Sequence, residues 1–190
     1  GLMYDNPSRW GLTFQTYVQL TMMKAHLCPT TKPLKIMERS LFSARYCFVE
    51  NLYKQGLMTE YEYVVLDEWF NWIVSNLNIS VDMIVYLRTE PEVVYERVKS
   101  RSRKEENSVS LDYLKQLHEL HEVWLHKNDT FSSTTPIIIL DANQSMVKME
   151  EEYKKCKSAI QQKIECLTIQ LIVVTSNKSA LGSQKEVPTS

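Results

Sequence analysis

The chain has 190 residues, with 22 lysines and arginines against 23 aspartates and glutamates, which give a formal net charge of −1. Acidic and basic residues are interspersed, so the composition argues against bulk nucleic-acid binding. No apolar run reaches the length of a membrane span and no early stretch resembles a signal peptide, so no membrane partner is expected. The four cysteines, Cys28, Cys47, Cys156 and Cys166, are far apart without metal-ligand spacing, which predicts reduced thiols in an intracellular protein.

Apolar periodicity and capping residues predict alternating helices and strands. The predicted strands span about residues 34–39, 83–88 and 136–140, and the predicted helices about residues 9–25, 40–55, 59–76, 110–127 and 147–162, with one more helix beginning near Pro91. Charged residues at the strand ends indicate an α/β fold, a parallel sheet flanked by helices with its ligand above the carboxyl ends of the strands. We therefore predict a domain over residues 1–162 and a divergent tail over 163–190, with an extra strand within Ile164–Thr175 and disorder from Ser176 onwards.

The helix that begins near Pro91 ends in an arginine-rich segment. This segment contains Arg97, Arg101 and Arg103 and closes on Glu105 and Glu106. Cations at this density repel one another unless an anion lies among them, so we interpret the segment as a lid over a polyphosphate. The alternative is a solvated helix end whose cations offset the helix dipole. The apolar strand pattern just before the helix favours the lid.

Several short motifs occur in a characteristic order. They are Leu2-Met3-Tyr4, Phe14-Gln15-Thr16-Tyr17, Glu38-Arg39-Ser40, Ser43-Ala44-Arg45-Tyr46, Tyr86-Leu87-Arg88-Thr89 and the arginine-rich segment. Together they resemble the deoxyribonucleoside kinase family, and most of all its branch of mitochondrial thymidine kinases and insect multisubstrate kinases, over about residues 1–162.

The resemblance implies a P-loop NTPase-like nucleoside kinase fold and a phosphotransferase of nucleotide salvage, which makes DNA precursors. Its substrates would be pyrimidine deoxyribonucleosides, thymidine and deoxycytidine, phosphorylated at the 5′-hydroxyl by ATP with Mg²⁺. The resemblance also implies a homodimer built from helices such as the one predicted over residues 40–55. The expected location is mitochondrial, with the cytoplasm as the alternative.

The same resemblance assigns Arg39 and Glu38 to catalysis. Arg39 ends a predicted strand at the point where a helix begins, so its guanidinium can reach an acceptor oxygen and the charge that develops there. The alternative is an ordinary ion pair at a strand end. Tyr4 and Glu106 are similar to the residues that bind the sugar 3′-hydroxyl in the family, and this pair suits a deoxyribose.

The base is expected between side chains of two helices. Gln15 offers a donor and an acceptor, which match the imide edge of thymine or the amide edge of cytosine. Phe48 would stack on the base, although phenylalanine at helical spacing is often a core residue. Met22 and Ala44 replace an arginine and an aspartate of family members that prefer deoxycytidine and purines, and so leave room for the thymine methyl group. Three more residues complete the predicted pocket: Met3, Phe14 and Val18.

On the ATP side, Arg97, Arg101 and Arg103 match positions that contact phosphates in the family. The loop that covers the adenine corresponds to four consecutive residues, Asn143, Gln144, Ser145 and Met146.

The chain departs from the family at the phosphate loop. It has four glycines and no Gly-Lys-Ser or Gly-Lys-Thr sequence, so the loop that cradles the donor phosphates has no counterpart. The family's catalytic carboxylate is also missing. We therefore interpret the chain as an N-terminally truncated kinase that lacks its first βα unit and is inactive alone. The alternatives are a non-catalytic paralogue or splice product that binds nucleoside or pairs with a full-length subunit, and another nucleotide-binding enzyme such as a thymidylate kinase.

Overall fold

A four-stranded parallel sheet forms the centre of the fold. The computed structural model describes residues 2–103, 106, 108–127, 135–144, 146–164 and 169–175. The strands are β1 (Leu34–Glu38), β2 (Met83–Arg88), β3 (Ile137–Asp141) and β4 (Ile169–Thr175). They lie in the order β1-β4-β2-β3, and each neighbouring pair is parallel. The predicted α/β class, a parallel sheet flanked by helices, is confirmed.

Helices connect the strands close to the predicted positions. They are α1 (Leu2–Asp5), α2 (Pro7–Leu27), α3 (Leu41–Ser43), α4 (Glu50–Lys54), α5 (Glu60–Asn76), α6 (Pro91–Arg101), α7 (Leu111–Glu122) and α8 (Met146–Ile164). A π-helical stretch, Ala44–Val49, joins α3 to α4, and a second, Val123–Lys127, extends α7. Helices α3 and α5 begin with capping boxes at Ser40 and Thr59. Gly56, just after the end of α4, has a φ of +67°. No helix in the described ranges is both long and apolar enough to cross a bilayer.

Strand β4 occupies the middle of the sheet. It pairs with β1 on one side, where Glu38 is opposite Val173, and with β2 on the other, where Leu87 is opposite Thr175. Its side chains Leu171, Ile172 and Val174 are buried. The sequence predicted an extra strand here but not its central place, because periodicity does not specify which strands pair. The boundary at residue 162 stays a prediction, and the predicted disorder from Ser176 onwards lies outside the described residues.

The two faces of the sheet carry separate hydrophobic cores. Because side chains alternate along a strand, Ile84 and Tyr86 point to one face while Met83 and Val85 point to the other. The first face packs against Phe48 of the π-helical stretch and Trp124 after α7, together with Met37 and Ile172. The helical segment 41–54 is thus held against the sheet. It is largely buried, which is contrary to the expectation that this helix builds a dimer interface.

Arg45 ties this helical segment to α5. Its guanidinium donates to Asp67 Oδ1 at 2.7 Å, to Tyr63 Oη at 2.6 Å and to Glu50 Oε2 at 3.2 Å. Burial acts to lower the pKa of Arg45, but the hydrogen bonds with Asp67 and Tyr63 outweigh it and the pKa is raised. The segment that carries Phe48 therefore has a fixed position.

Candidate functional site

A cavity of about 170 Å³ lies between α1, α2, the helical segment 44–54 and the residues around the start of α7. Four of the predicted pocket residues line it: Met3, Phe14, Gln15 and Phe48. The other lining residues were not predicted from the sequence: Pro7, Asn51, Leu52, Leu57, Ser108, Val109 and Tyr113. An apolar cavity with a few polar groups is the usual form of a small-molecule site.

Gln15 supplies a buried polar group to the cavity. The residue is 2% exposed, and its Oε1 has no hydrogen-bond partner among the residues that the structure describes. A buried acceptor without a partner costs about 1–3 kcal/mol. A ligand with an N–H or NH₂ group would satisfy it, as the predicted role of Gln15 in base recognition requires.

Arg39 lies beside the same cavity, in contact with Phe48. Its Cζ is 4.6 Å from the centroid of the Phe48 ring, and its backbone N–H donates to Val173 O at 2.8 Å. Arg39 is 8% exposed and has a φ of +62°, a left-handed conformation that costs a residue with a Cβ about 1–2 kcal/mol. Strained residues of this kind concentrate at functional sites. Glu38, the last residue of β1, is exposed.

His121 supports Phe48 from within the core. Its side chain is fully buried, with its ring parallel to that of Tyr86 at 6.1 Å and its centroid 6.5 Å from Phe48. Nδ1 lies 2.6 Å from Leu117 O, so it carries the proton and donates. Burial lowers the pKa of His121 to about 4, and the ring is therefore neutral at pH 7. No sequence motif pointed to this residue.

The arginine-rich segment contacts a buried carboxylate. Arg101 Nε donates to Glu106 Oε2 at 3.1 Å, and Arg103 Nη1 lies 3.7 Å from Glu106 Oε1. Glu106 is 4% exposed. Two of the three predicted phosphate ligands are therefore paired with Glu106, which is predicted to bind the 3′-hydroxyl, and a polyphosphate would compete with Glu106 for these two cations.

Arg97 connects α6 with the loop that follows β3. Its guanidinium donates to the carbonyl oxygens of Ala142 at 2.8 Å, Asn143 at 3.3 Å and Gln144 at 3.2 Å. Asn143 Oδ1 also accepts from the backbone N–H of Glu90 at 2.8 Å. The predicted lid helix and the predicted adenine loop thus lie together, with Arg97 bound to the loop. Ser145 lies outside the described residues, and so does the side chain of Met146, the first residue of α8.

Three more residues of the predicted base pocket do not line this cavity: Val18, and the pair Met22 and Ala44 that was predicted to leave room for the thymine methyl group. Val18 and Ala44 are buried in the domain, 7% and 3% exposed. Met22 is partly buried and packs against a core cluster that contains Leu41 and Phe70. The Tyr4 side chain lies outside the described part of the chain. The role of these four residues in binding remains a prediction.

Helical spacing could have identified two of the cavity-lining residues that were not predicted. Asn51 and Leu52 follow Phe48 by three and four residues, so all three lie on one helix face. Pro7 and Leu57 carry no comparable signal, because their place at the cavity depends on tertiary packing.

Across the described residues, no group of three or more histidine, cysteine, aspartate or glutamate side chains could hold a metal ion. These residues do not form a protein cage for the Mg²⁺ that the resemblance implies.

Comparison with known proteins identifies the family. The deoxynucleoside kinase family matches residues 1–165. The chain is 51% identical to mitochondrial thymidine kinase 2 of Macaca fascicularis and of Homo sapiens, over 84% of this chain and 60% of each relative. It is 37% identical to deoxycytidine kinase 2 of Gallus gallus, over 80% of this chain and 63% of that protein. The chain thus spans about three fifths of the length of these relatives. The predicted resemblance is confirmed, a thymidylate kinase is not supported, and the chain belongs to the deoxynucleoside kinase family.

Proposed function

We propose that the full-length protein is an ATP-dependent kinase that phosphorylates the 5′-hydroxyl of pyrimidine deoxyribonucleosides, thymidine and deoxycytidine, in nucleotide salvage. The chain described above would supply the nucleoside site and the lid. The relatives that it resembles are named thymidine kinase and deoxycytidine kinase, which supports substrates of this class.

One observation carries the proposal more than any other. The buried Gln15 carboxamide faces an apolar cavity whose wall includes Phe48, and Phe48 is in contact with the Arg39 guanidinium. A flat base can stack on Phe48 and bind Gln15, while a hydroxyl of its sugar lies toward the cation. Arg39 would then stabilise the charge that develops on the attacking oxygen, with Glu38 beside it.

The lid residues have separate proposed roles. Arg101 and Arg103 would exchange Glu106 for the donor phosphates, and the released carboxylate would bind the 3′-hydroxyl together with Tyr4. Arg97 would fix the position of the loop over the adenine.

Transfer of labelled γ-phosphate from ATP to thymidine and to deoxycytidine by the full-length protein tests this proposal. We expect both 5′-monophosphates. If neither forms while the protein is folded, the proposal is wrong.

A second candidate follows from the absence of Gly-Lys-Ser and Gly-Lys-Thr in these 190 residues. A product consisting of this chain alone would bind nucleoside without phosphorylating it, or would pair with a full-length subunit. Thymidine binding without formation of thymidine monophosphate by the 190-residue chain supports this candidate. Donor-dependent product formation would exclude it.

We also propose a homodimer formed through α5. Tyr61, Val65, Trp69 and Trp72 lie at helical spacing on this helix and are 85%, 49%, 53% and 53% exposed. Leu20 of the neighbouring helix α2 is also exposed, at 40%. A stripe of large apolar side chains of this kind favours a protein interface, and a second copy of the chain is the occupant that the family resemblance implies.

We propose a mitochondrial location, because two relatives at 51% identity are named as mitochondrial. Fluorescence imaging of the tagged full-length protein tests this, and a uniform cytoplasmic signal would favour the alternative.

A further inference from the structure

Asn51 is a buried residue whose carboxamide forms no hydrogen bond with the residues that the structure describes. It lies on α4, is 3% exposed and lines the cavity. Its polar atoms are open to the cavity and not enclosed by the protein. A carboxamide has two donor hydrogens and an acceptor oxygen, and buried polar groups in native proteins almost always have partners. The position of Asn51 therefore leaves its carboxamide available to a ligand in the cavity.

The helix places Asn51 next to the proposed stacking residue. Asn51 follows Phe48 by three residues, across the junction between the π-helical stretch and α4. Both residues line the cavity. A flat ring lying on Phe48 would therefore have one of its edges close to the Asn51 carboxamide.

Two carboxamides from different elements face one otherwise largely apolar cavity. Gln15 comes from α2 and has its Oε1 buried without a partner, and Asn51 comes from α4. The surrounding wall includes Met3, Leu52 and Leu57. Two separate amides in such a wall suit a flat heterocycle that carries hydrogen-bonding groups on two edges.

A pyrimidine base has this property. Its N3 and C4 substituents form one polar edge, which suits the donor and acceptor of Gln15. Its 2-carbonyl oxygen lies on the other side of N3, and this oxygen is common to thymine and cytosine. Purines carry no carbonyl at the equivalent place next to the sugar.

We propose that Asn51 is a specificity-determining residue that donates a hydrogen bond to the 2-carbonyl oxygen of the pyrimidine. This inference rests on the proposed function and extends it, because it assigns a residue to the polar edge of the base that Gln15 does not recognise. Acceptance of both thymidine and deoxycytidine follows, since Asn51 binds the group that the two bases share.

Calorimetric binding of thymidine and of 2-thiothymidine to the 190-residue chain tests the inference, because a thiocarbonyl is a poor hydrogen-bond acceptor. We expect the unmodified chain to bind thymidine about tenfold more tightly than the thio analogue, as the loss of one hydrogen bond predicts. In Asn51→Leu, thymidine should lose about tenfold in affinity and the analogue should lose little, so the preference disappears. If Asn51→Leu does not fold, Asn51→Ala, which has a smaller side chain, replaces it. The same loss of the preference for thymidine is expected. Asn78→Leu, at an exposed asparagine before β2, should keep the preference.

The outcomes separate the inference from the function on which it rests. Asn51→Leu and Asn51→Ala could lower the affinities for the two ligands equally, or could leave both affinities unchanged. In either case Asn51 does not recognise the 2-carbonyl and the inference is wrong, while the proposed nucleoside site is unaffected. If the unmodified, folded chain binds neither ligand, the proposed nucleoside site is itself wrong, and the inference fails with it.

Discussion

Arg101 donates two hydrogen bonds to a single carboxylate oxygen of Glu106, one from Nε at 3.1 Å and one from Nη2. The Glu106 side chain is 3% exposed and that of Arg101 is 30% exposed. Arg103 lies near the other carboxylate oxygen, at 3.7 Å. The carboxylate thus offsets the charge of the two cations proposed to bind phosphate, and a polyphosphate has to displace it.

Substitution of Glu106 should strengthen anion binding. Glu106→Gln keeps the size of the side chain and removes its charge, so we expect the affinity for inorganic tripolyphosphate to rise about fivefold, as the loss of a partly exposed ion pair predicts. Titration calorimetry at low salt measures this. Glu96→Gln, at an exposed position on α6, is the matched control and should change nothing. Unchanged tripolyphosphate affinity in Glu106→Gln would mean that the arginines only offset the dipole at the end of the helix.

The left-handed backbone of Arg39 should have a measurable cost. Arg39→Gly and Arg39→Ala both remove the guanidinium, but only glycine adopts a φ of +62° without strain. We expect the free energy of unfolding of Arg39→Gly to exceed that of Arg39→Ala by about 1 kcal/mol. In the full-length enzyme, both should lower kcat at least a hundredfold with a smaller effect on the KM for ATP. Urea denaturation and steady-state kinetics check the two parts, and equal stabilities would contradict the strain argument.

Most of the element boundaries could be predicted from the sequence, because capping and breaking residues act locally. Ser40 and Thr59 begin helices and Gly56 leaves one as expected. Gln15 could be assigned to the cavity because it lies in a motif that carries the family resemblance, and Phe48 because it follows Ala44 of another such motif by four residues. The central place of β4 and the contact between Arg97 and the loop after β3 could not be predicted, since both depend on pairing of elements distant in sequence.

Stability should fall in mild acid. Burial lowers the pKa of both His121 and His26 to about 4, with Lys35 contributing at His26. Between pH 6.5 and about 4 the unfolded chain therefore binds protons that the native state does not, so the free energy of unfolding decreases as the pH falls through this window, by about 3 kcal/mol for each histidine. Chemical denaturation at several pH values measures the slope. His121→Gln should make the decline shallower, and an unaltered slope would show that His121 titrates normally.

Charge on the exposed face of α5 should disrupt the proposed dimer. Trp69→Glu with Trp72→Glu places two carboxylates in the apolar stripe, so we expect a monomer by sedimentation analysis at micromolar concentration, with the melting temperature nearly unchanged because both side chains are about half exposed. Tyr153→Glu, at an exposed aromatic residue of α8, is the control and should remain dimeric. A dimer that survives the double substitution would place the interface elsewhere.

The central claim is that a pyrimidine deoxyribonucleoside binds in the cavity beside Gln15. Titration of the 190-residue chain with thymidine tests it most directly, when Gln15→Leu and Gln19→Leu are compared with the unmodified chain. Gln19 is an equally buried glutamine of α2 whose Nε2 donates to Leu66 O at 3.2 Å, so its substitution tests for a purely structural effect. The account predicts saturable binding that Gln15→Leu weakens at least tenfold, while Gln19→Leu lowers the melting temperature and changes the thymidine affinity less. Equal affinity in Gln15→Leu and the unmodified chain, or no thymidine binding by the folded chain, would contradict it.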